Sequence, residues 1–379
     1  MTSEQQPPPK GAGPRWSEAY QAKGEEATSF WKQYLAGKDR KACFVQAIGF
    51  DPRGAAFLQS LDDTQRSGIT LALTLELEYK KNQADIESLV EANRQSVGKH
   101  LGKARVVQQK ISIATDEKAG TRRTQTVLRQ FLEKETMDCT DIIIDINSMP
   151  KSVAMTAVAV ALRHCDRRDN KDRINLFVVV MHDPELDAKI RSTDMFFDPF
   201  LHAEFLSEFE NETTDSIHAI WMPILGEGRA SQVKKIQQAK WAPQDILPVV
   251  PSPSRDPKTA DRLLLEYGGL LSSEESSPTT ANVLRVSEEN PIEAYEGFLT
   301  TIQDFVKVYE VLGGCRVLVS SHSTKLLSLA ALMAVYEARQ STCPGASYAF
   351  VEGGGHRYEG STPGKSQPYV VWLAGEPYA

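Results

Sequence analysis

Two short turns carry the side chains best suited to holding a polar ligand. The first, DINSMPK, sets Asp145, Asn147, Ser148 and Lys151 behind an apolar run, and the second, SSHSTK, sets Ser321, His322, Ser323 and Lys325 behind another. A lysine ammonium and a serine hydroxyl at the start of a helix make a cradle for phosphate, because the unpaired N–H groups and the macrodipole there attract anions. Asp51 and Arg53 follow an earlier apolar run, and Glu227 and Arg229 a later one, so each pair can contact a charged ligand from the rim. Asp145, His182 and His322 are the groups with general acid or base chemistry at the ends of such runs.

Plainer roles compete with each of these. Ser148, Ser323 and Asp51 suit helix N-caps, the arginines suit structural ion pairs, and the histidines suit hydrogen-bonded structural positions. Lys151 and Lys325 are harder to explain that way, since a cation in a first helical turn opposes the helix dipole unless an anion meets it. The tract EGGGHRYEG (352–360) adds Glu352, His356 and Arg357 behind three glycines, which suits either close approach to a ligand or a hairpin loop.

Familiar catalytic templates are missing. The sequence has no GxxxxGK[ST], GxGxxG, HExxH or GxSxG, which disfavours NAD binding and ordinary P-loop ATP hydrolysis, and no cofactor is identified. His202, Glu204 and Glu208 suit a solvated helix face better than a metal site. The five cysteines contain no CxxC pair, against both a disulfide framework and a zinc site. A net charge of −7 gives no general attraction to nucleic acid or anionic membrane. No apolar run is long enough to cross a bilayer and the first residues lack signal-peptide character, so a cytoplasmic location is expected.

The elements that must position these groups alternate along the chain. Strands are expected at 42–48, 69–77, 105–113, 142–146 and 174–181, and again at 218–225, 246–250, 281–286, 316–320, 347–352 and 369–374, with helices between most of them. Near-continuous apolar strands alternating with helices predict an α/β fold, a doubly wound, mostly parallel sheet covered on both faces. An aromatic helix is expected at 17–35, and loops at 272–282 and 353–368. The acidic segment 198–215 is the expected boundary. This gives a flexible N-terminus at 1–15, a Rossmann-like half at 16–200 preceded by the helix, and a second Rossmann-like half at 216–379.

The halves resemble each other in detail. Gly49, Asp51, Arg53, Gly54 and Ala55 match Gly226, Glu227, Arg229, Ala230 and Ser231, and the Ser/Lys turn follows in each at nearly the same distance, 98 residues from Arg53 to Lys151 and 96 from Arg229 to Lys325. A tandem duplication and the general likeness of strand-turn-helix units both account for this. Over about 300 residues the architecture resembles the CRISPR-associated Rossmann-fold sensor domains, which hold nucleotide signals between two subunits; no specific motif is shared. The expected function is binding of a nucleotide or other phosphorylated small molecule at strand ends by a sensor or regulatory subunit. The alternatives are a hydrolase of a nucleotide-like substrate, and an adaptor whose N-terminal helix docks a protein partner.

Overall fold

The computed structural model describes residues 13–37, 39–78, 84–112, 117–168, 172–183, 186–187, 190–192, 217–237, 243–271, 283–349, 356–358 and 366–378. The acidic segment 198–215, the loop 272–282, residues 1–12 and Glu352 lie outside the described residues, as does most of the tract 353–368. The chain divides into two compact units, with breaks at Glu18/Ala19, Phe197/Asp198 and Val351/Glu352. We call the unit containing residues 19–197 the first and the unit containing 198–351 the second.

In the first unit a seven-stranded sheet has the order β1-β15-β6-β5-β2-β3-β4, with β1 Gln21–Lys23, β2 Ala42–Ile48, β3 Ile69–Glu78, β4 Arg105–Ser112, β5 Asp141–Asp145, β6 Asn175–His182 and β15 Gln367–Ala374. The five strands from β4 to β6 are mutually parallel. Helices α1 (Glu25–Tyr34), α2 (Ala56–Ser60) and α4 (Ala84–Leu101) pack against this sheet, with the short α3 (Asp63–Ser67) beside β3. Helices α5 (Glu117–Glu135) and α6 (Lys151–Asp166) pack together elsewhere on it. Central β2 (ACFVQAI) is buried along its whole length, as a parallel strand covered on both sides must be.

The second unit repeats this plan. Its sheet runs β11-β10-β8-β12-β13, with β8 His218–Ile224, β10 Val249–Pro251, β11 Leu284–Val286, β12 Cys315–Ser321 and β13 Ala346–Ala349, all parallel; the two-residue β9 (Asp245–Ile246) also joins β8. Its helices are α7 (Ala230–Gln237), α8 (Thr259–Leu271), α9 (Pro291–Tyr309) and α10 (Lys325–Ser341). Counted along the chain, the parallel strands of both sheets stand in the order third, second, first, fourth, fifth. The helix after the fourth strand is apolar all round in both cases. Residues 152–162 of α6 and 326–336 of α10 are buried, because each is held between the sheet and the preceding long helix.

Three expectations are corrected. The strand at 369–374 does not close the second half: β15 lies in the first sheet, antiparallel to β6 and β1. Trp372 brings it there by packing on Phe177 and Tyr34, and Gly375 at φ 114° lets the following backbone close on Asn175, whose side chain accepts from the Glu376 N–H at 2.9 Å. The helix expected at 17–35 is shorter, since residues 21–23 pair with β15 as a strand before α1 begins. Trp16 precedes both elements and belongs with the second unit. Its ring is fully buried against Tyr295 and Tyr336, while the Arg15 N–H donates to Glu337. The aromatics of α1, Phe30, Trp31 and Tyr34, cover their own sheet through Phe57, Phe177 and Trp372.

Two consequences can be measured. Trp16→Ala removes a wholly buried aromatic, and urea unfolding followed by tyrosine fluorescence should show the second unit weakened by about 3–5 kcal/mol. The second concerns His164, in the last turn of α6, where burial and then Arg168 and Arg167 lower the imidazole from 6.5 to about 4. Between those pH values the unfolded chain takes up a proton that the folded chain refuses, so stability present above pH 6.5 is lost as pH falls toward 4. A melting series across that window should be flatter for His164→Gln than for wild type.

Candidate functional site

In an open parallel sheet the ligand crevice lies beyond the carboxyl ends of the strands where the order reverses. Here that point falls between β2 and β5 in the first sheet and between β8 and β12 in the second. The registers agree: Gln46 stands opposite Asp145 in one, Pro223 opposite Ser320 in the other, and a glycine follows three residues later in each, Gly49 and Gly226. Both glycines are there because nothing larger fits. A Cβ on Gly49 would lie 2.6 Å from the Ser148 carbonyl oxygen, and one on Gly226 would lie 2.0 Å from that of His322. The end of the first strand is thus pressed against the turn leaving the fourth, which brings each predicted Ser/Lys turn to the crevice of its own sheet.

The first crevice is tied together by buried hydrogen bonds. Arg53, 3% exposed, donates to both carboxylate oxygens of Asp51 at 2.9 and 2.7 Å, to the Met181 carbonyl at 3.0 Å and to Asp187 at 2.7 Å. Burial alone would lower the guanidinium pKa; Asp187 and Asp51 overcome it and hold it above its ordinary value. Asp51 and Arg53 are therefore brought together and turned toward the protein, where they fasten the loop after β2 to the end of β6. The Asn93 amide of α4 clamps the same loop by donating to the carbonyls of Gly49 and Asp51 at 2.7 and 2.8 Å. Asp145 accepts from the backbone N–H and side-chain amide of Asn147 at 2.9 and 2.7 Å, and Asn147 Oδ1 accepts from Met181 N–H at 2.7 Å. His182 ends β6 with its ring edge-on to Tyr369 at 5.5 Å, on the side facing β15.

A polar row crosses this sheet just below the crevice. Thr74, Gln46 and Asp145 are in-register neighbours on β3, β2 and β5, so they project from one face. Gln46 is 1% exposed, and neither end of its amide finds a hydrogen-bond partner among the described residues; the same holds for the Thr74 hydroxyl and for the Ser148 hydroxyl next to Gly54. Phe44 and Ile48, flanking Gln46 on its face, belong to the aromatic core with Trp31 and Phe57. Polar groups buried there without partners cost on the order of 1–3 kcal/mol each. Lys151, half-buried, opens α6, whose N-cap position is Pro150 and carries no side-chain cap.

The second crevice is closed differently. Trp221 Nε1–H donates to Ser320 Oγ at 2.9 Å, Ser320 Oγ meets His322 Nε2 at 3.2 Å, and His322 Nδ1 meets Gln232 Oε1 at 3.3 Å. The order hydroxyl, imidazole, acceptor is that of a nucleophile relay, yet Ser320 is 0% exposed, so no substrate reaches it and the chain of bonds is cohesive. Ser321 is likewise buried, bonded to Ser328 at 2.7 Å. Thr324 caps α10 through the Leu327 N–H, leaving Ser323 and Lys325 half-buried at the opening. Glu227 points out to Arg262 at 2.7 Å, an exposed pair, and Arg229 is half-buried immediately before α7. In the first unit the strand β14 (His356–Tyr358) pairs with β7 (Ile190–Ser192) in a two-stranded ladder of its own, joined to neither sheet.

Residues that sequence reasoning passed over are Gln46, Thr74, Asn93, Trp221 and Gln232. Gln46 and Thr74 had a signal, as polar interruptions of apolar strands; Asn93 and Gln232 lie on amphipathic helices where polar residues are ordinary. Among the described residues no cluster of three or more His, Cys, Asp or Glu could hold a metal ion, and no helix is long and apolar enough to cross a membrane. Fold and site define a doubly wound α/β protein with one switch-point crevice in each of two sheets. Compared with the models of known protein families and with curated protein sequences, the chain matches none.

The Asp51–Arg53 pair gives this geometry a test. Removing one member of a buried pair leaves the other uncompensated, so Arg53→Met should destabilise the first unit by about 3–5 kcal/mol, and Arg53→Met with Asp51→Leu by less than the two single losses added, as measured by denaturant titration.

Proposed function

We propose that the protein binds a nucleotide or another phosphorylated small molecule at the switch point of each sheet and acts through that ligand as a sensor or regulatory subunit. The observation that carries this reading is the repeated placement of a lysine at the first position of the helix leaving the switch point, Lys151 in α6 and Lys325 in α10. A cation there is disfavoured by the helix dipole and favoured once an anion sits on the helix N-terminus.

A tandem duplication accounts for the common strand order, the common register and the two glycines better than chance likeness of strand-turn-helix units. Binding is favoured over hydrolysis because two of the three candidate bases are engaged in holding the turns: Asp145 by Asn147, and His322 by Ser320 and Gln232. The aromatics once available for a docking helix are used in the protein's own core, which weighs against the adaptor reading. We propose a cytoplasmic location, a reducing compartment that the free thiols would suit.

The reading is tested by small-molecule mass spectrometry of material released from the purified protein, together with melting curves against a panel of mono-, di- and cyclic nucleotides. A ligand at one hundred times its Kd should add about 2.7 kcal/mol of stability to wild type. Lys151→Ala and Lys325→Ala should each weaken the shift and the double variant abolish it. If no phosphorylated compound raises the wild-type Tm, the ligand reading is abandoned in favour of an assembly subunit. Turnover of the bound nucleotide would instead establish the hydrolase.

A further inference from the structure

The first sheet ends on β4, which pairs with β3 on one side and with no strand among the described residues on the other. Its eight residues, RVVQQKIS, keep an unbroken register with β3 from Arg105 opposite Leu71 to Ser112 opposite Glu78, without a proline or a bulge. The edge is also uncovered: Val106, an apolar side chain, is 41% exposed, and Arg105, Gln108 and Lys110 are exposed beside it. The other edges of the two sheets are different. Strands β1 and β11 have three residues and β13 has four, and so short an edge gives an added strand little to pair with. A long, regular, uncovered edge presents a row of backbone N–H and C=O groups, which is a template for one more strand.

Charge and register say which strand that is. β4 carries two cations and no acid, yet both cations are matched within the chain: Arg105 meets Glu135 at 2.6 Å, and Lys110 meets Glu78 of β3 at 3.3 Å. An acidic strand from another protein is therefore not called for, and a copy of β4 brings no unmatched charge. The sequence of β4 also pairs with itself. In an antiparallel pair related by a two-fold axis through the sheet, residues that meet lie on the same face, so odd positions meet odd and even meet even. With the axis at Gln109, Gln109 meets its own copy, Val107 meets Ile111 and Gln108 meets Lys110. The apolar pair forms twice, on the face that carries Leu73, Leu75 and Leu77, and no like charges meet. With the axis at Gln108, Arg105 would meet Ile111 and Lys110 would meet Val106, so the hydrophobic pairs are lost.

We propose that the outer edge of β4 is a dimerisation surface, where β4 pairs antiparallel with β4 of a second copy of this chain about an axis at Gln109. The result is one continuous sheet with seven strands from each copy. Antiparallel pairing sends the carboxyl ends of the two sets of parallel strands in opposite directions. The two first-unit crevices then open at opposite ends of the joined sheet, and any ligand there is held by one copy alone, not shared across this interface.

The test is sedimentation velocity of the full chain over a dilution series, with amide hydrogen exchange read at both ends of the series. A monomer–dimer equilibrium is expected, with exchange across 105–112 slowed at high concentration. Gln109→Glu sets two carboxylates against each other at the axis and should weaken the dimer Kd by roughly fivefold; Gln108→Glu sets a carboxylate against Lys110 twice and should tighten it by about as much. Each variant replaces an amide by an acid of the same shape, and far-UV circular dichroism checks that both remain folded. A wild-type chain that stays monomeric throughout the series would overturn the proposal. So would a dimer whose Kd neither variant moves, or one whose protected amides lie outside β4. The readout is a self-association constant, so it is independent of any ligand at the crevices.

Discussion

The architecture turns on one close approach in each sheet. Where the first strand ends, its glycine lies against the backbone of the turn that leaves the fourth strand, and a methyl group at either Gly49 or Gly226 would enter the space of a carbonyl oxygen. Neither residue has a positive φ, so the requirement is for room and not for an unusual backbone conformation. This contact sets the distance between the two central strands at their carboxyl ends. It also sets where the following helix begins, and hence where Lys151 and Lys325 stand. Every other feature of the crevices is fastened to it: the Asn93 clamp on one side, and the Tyr267 hydroxyl donating to Gly226 O on the other.

Around that contact the two units solve the same problem with different chemistry. Each has a hydrogen-bonded pair of side chains, two residues apart, at the carboxyl end of the fourth strand. In the first unit these are Asp145 and Asn147, a carboxylate and an amide; in the second they are Ser320 and His322, extended to Trp221 and Gln232. The second network matches its polar atoms internally. The first does not, because the row continues to Gln46 and Thr74, whose polar atoms find no match among the described residues. A core that leaves an amide unmatched between Phe44 and Ile48 gives up stability that an apolar residue would have kept. The first crevice is therefore the one with unmatched polar groups beneath it, while the second is the better cemented.

Much of this was legible in the sequence, for a physical reason. Parallel strands buried on both faces must be nearly continuous in apolar residues, so ACFVQAI, DIIID and HAIWMPI announce themselves, and the polar residues just after them mark strand ends. The Ser/Lys turns are legible as strand-end turns from the sequence alone. What the sequence concealed was long-range. YVVWLA reads equally well as the last strand of either sheet, and only the packing of Trp372 on Phe177 and the Gly375–Asn175 contact decide for the first. Trp16 fell at the start of the expected first half, and its partners Tyr295 and Tyr336 are some three hundred residues away. Arg53 had the composition of a ligand contact, but two carboxylates and a carbonyl converge on it, and nothing local foretells Asp187 or Met181 O.

The opposite end of the first sheet shows why the two ends carry different duties. Asp141, wholly buried at the start of β5, accepts from the Tyr34 hydroxyl at 2.6 Å, the Thr140 hydroxyl at 2.6 Å and the Asn175 amide at 2.9 Å, with Arg40 at 3.5 Å. The Tyr34 phenol is held protonated far above its usual range, first by burial and then by Asp141. A carboxylate so enclosed is saturated by donors that belong to β6, α1 and the approach to β5, and it can only cohere. At the carboxyl ends the same sheet opens onto helix N-termini, where N–H groups point outward and a cation stands beside them. Cohesive groups at the amino ends and unmatched ones at the carboxyl ends follow from the direction of parallel strands.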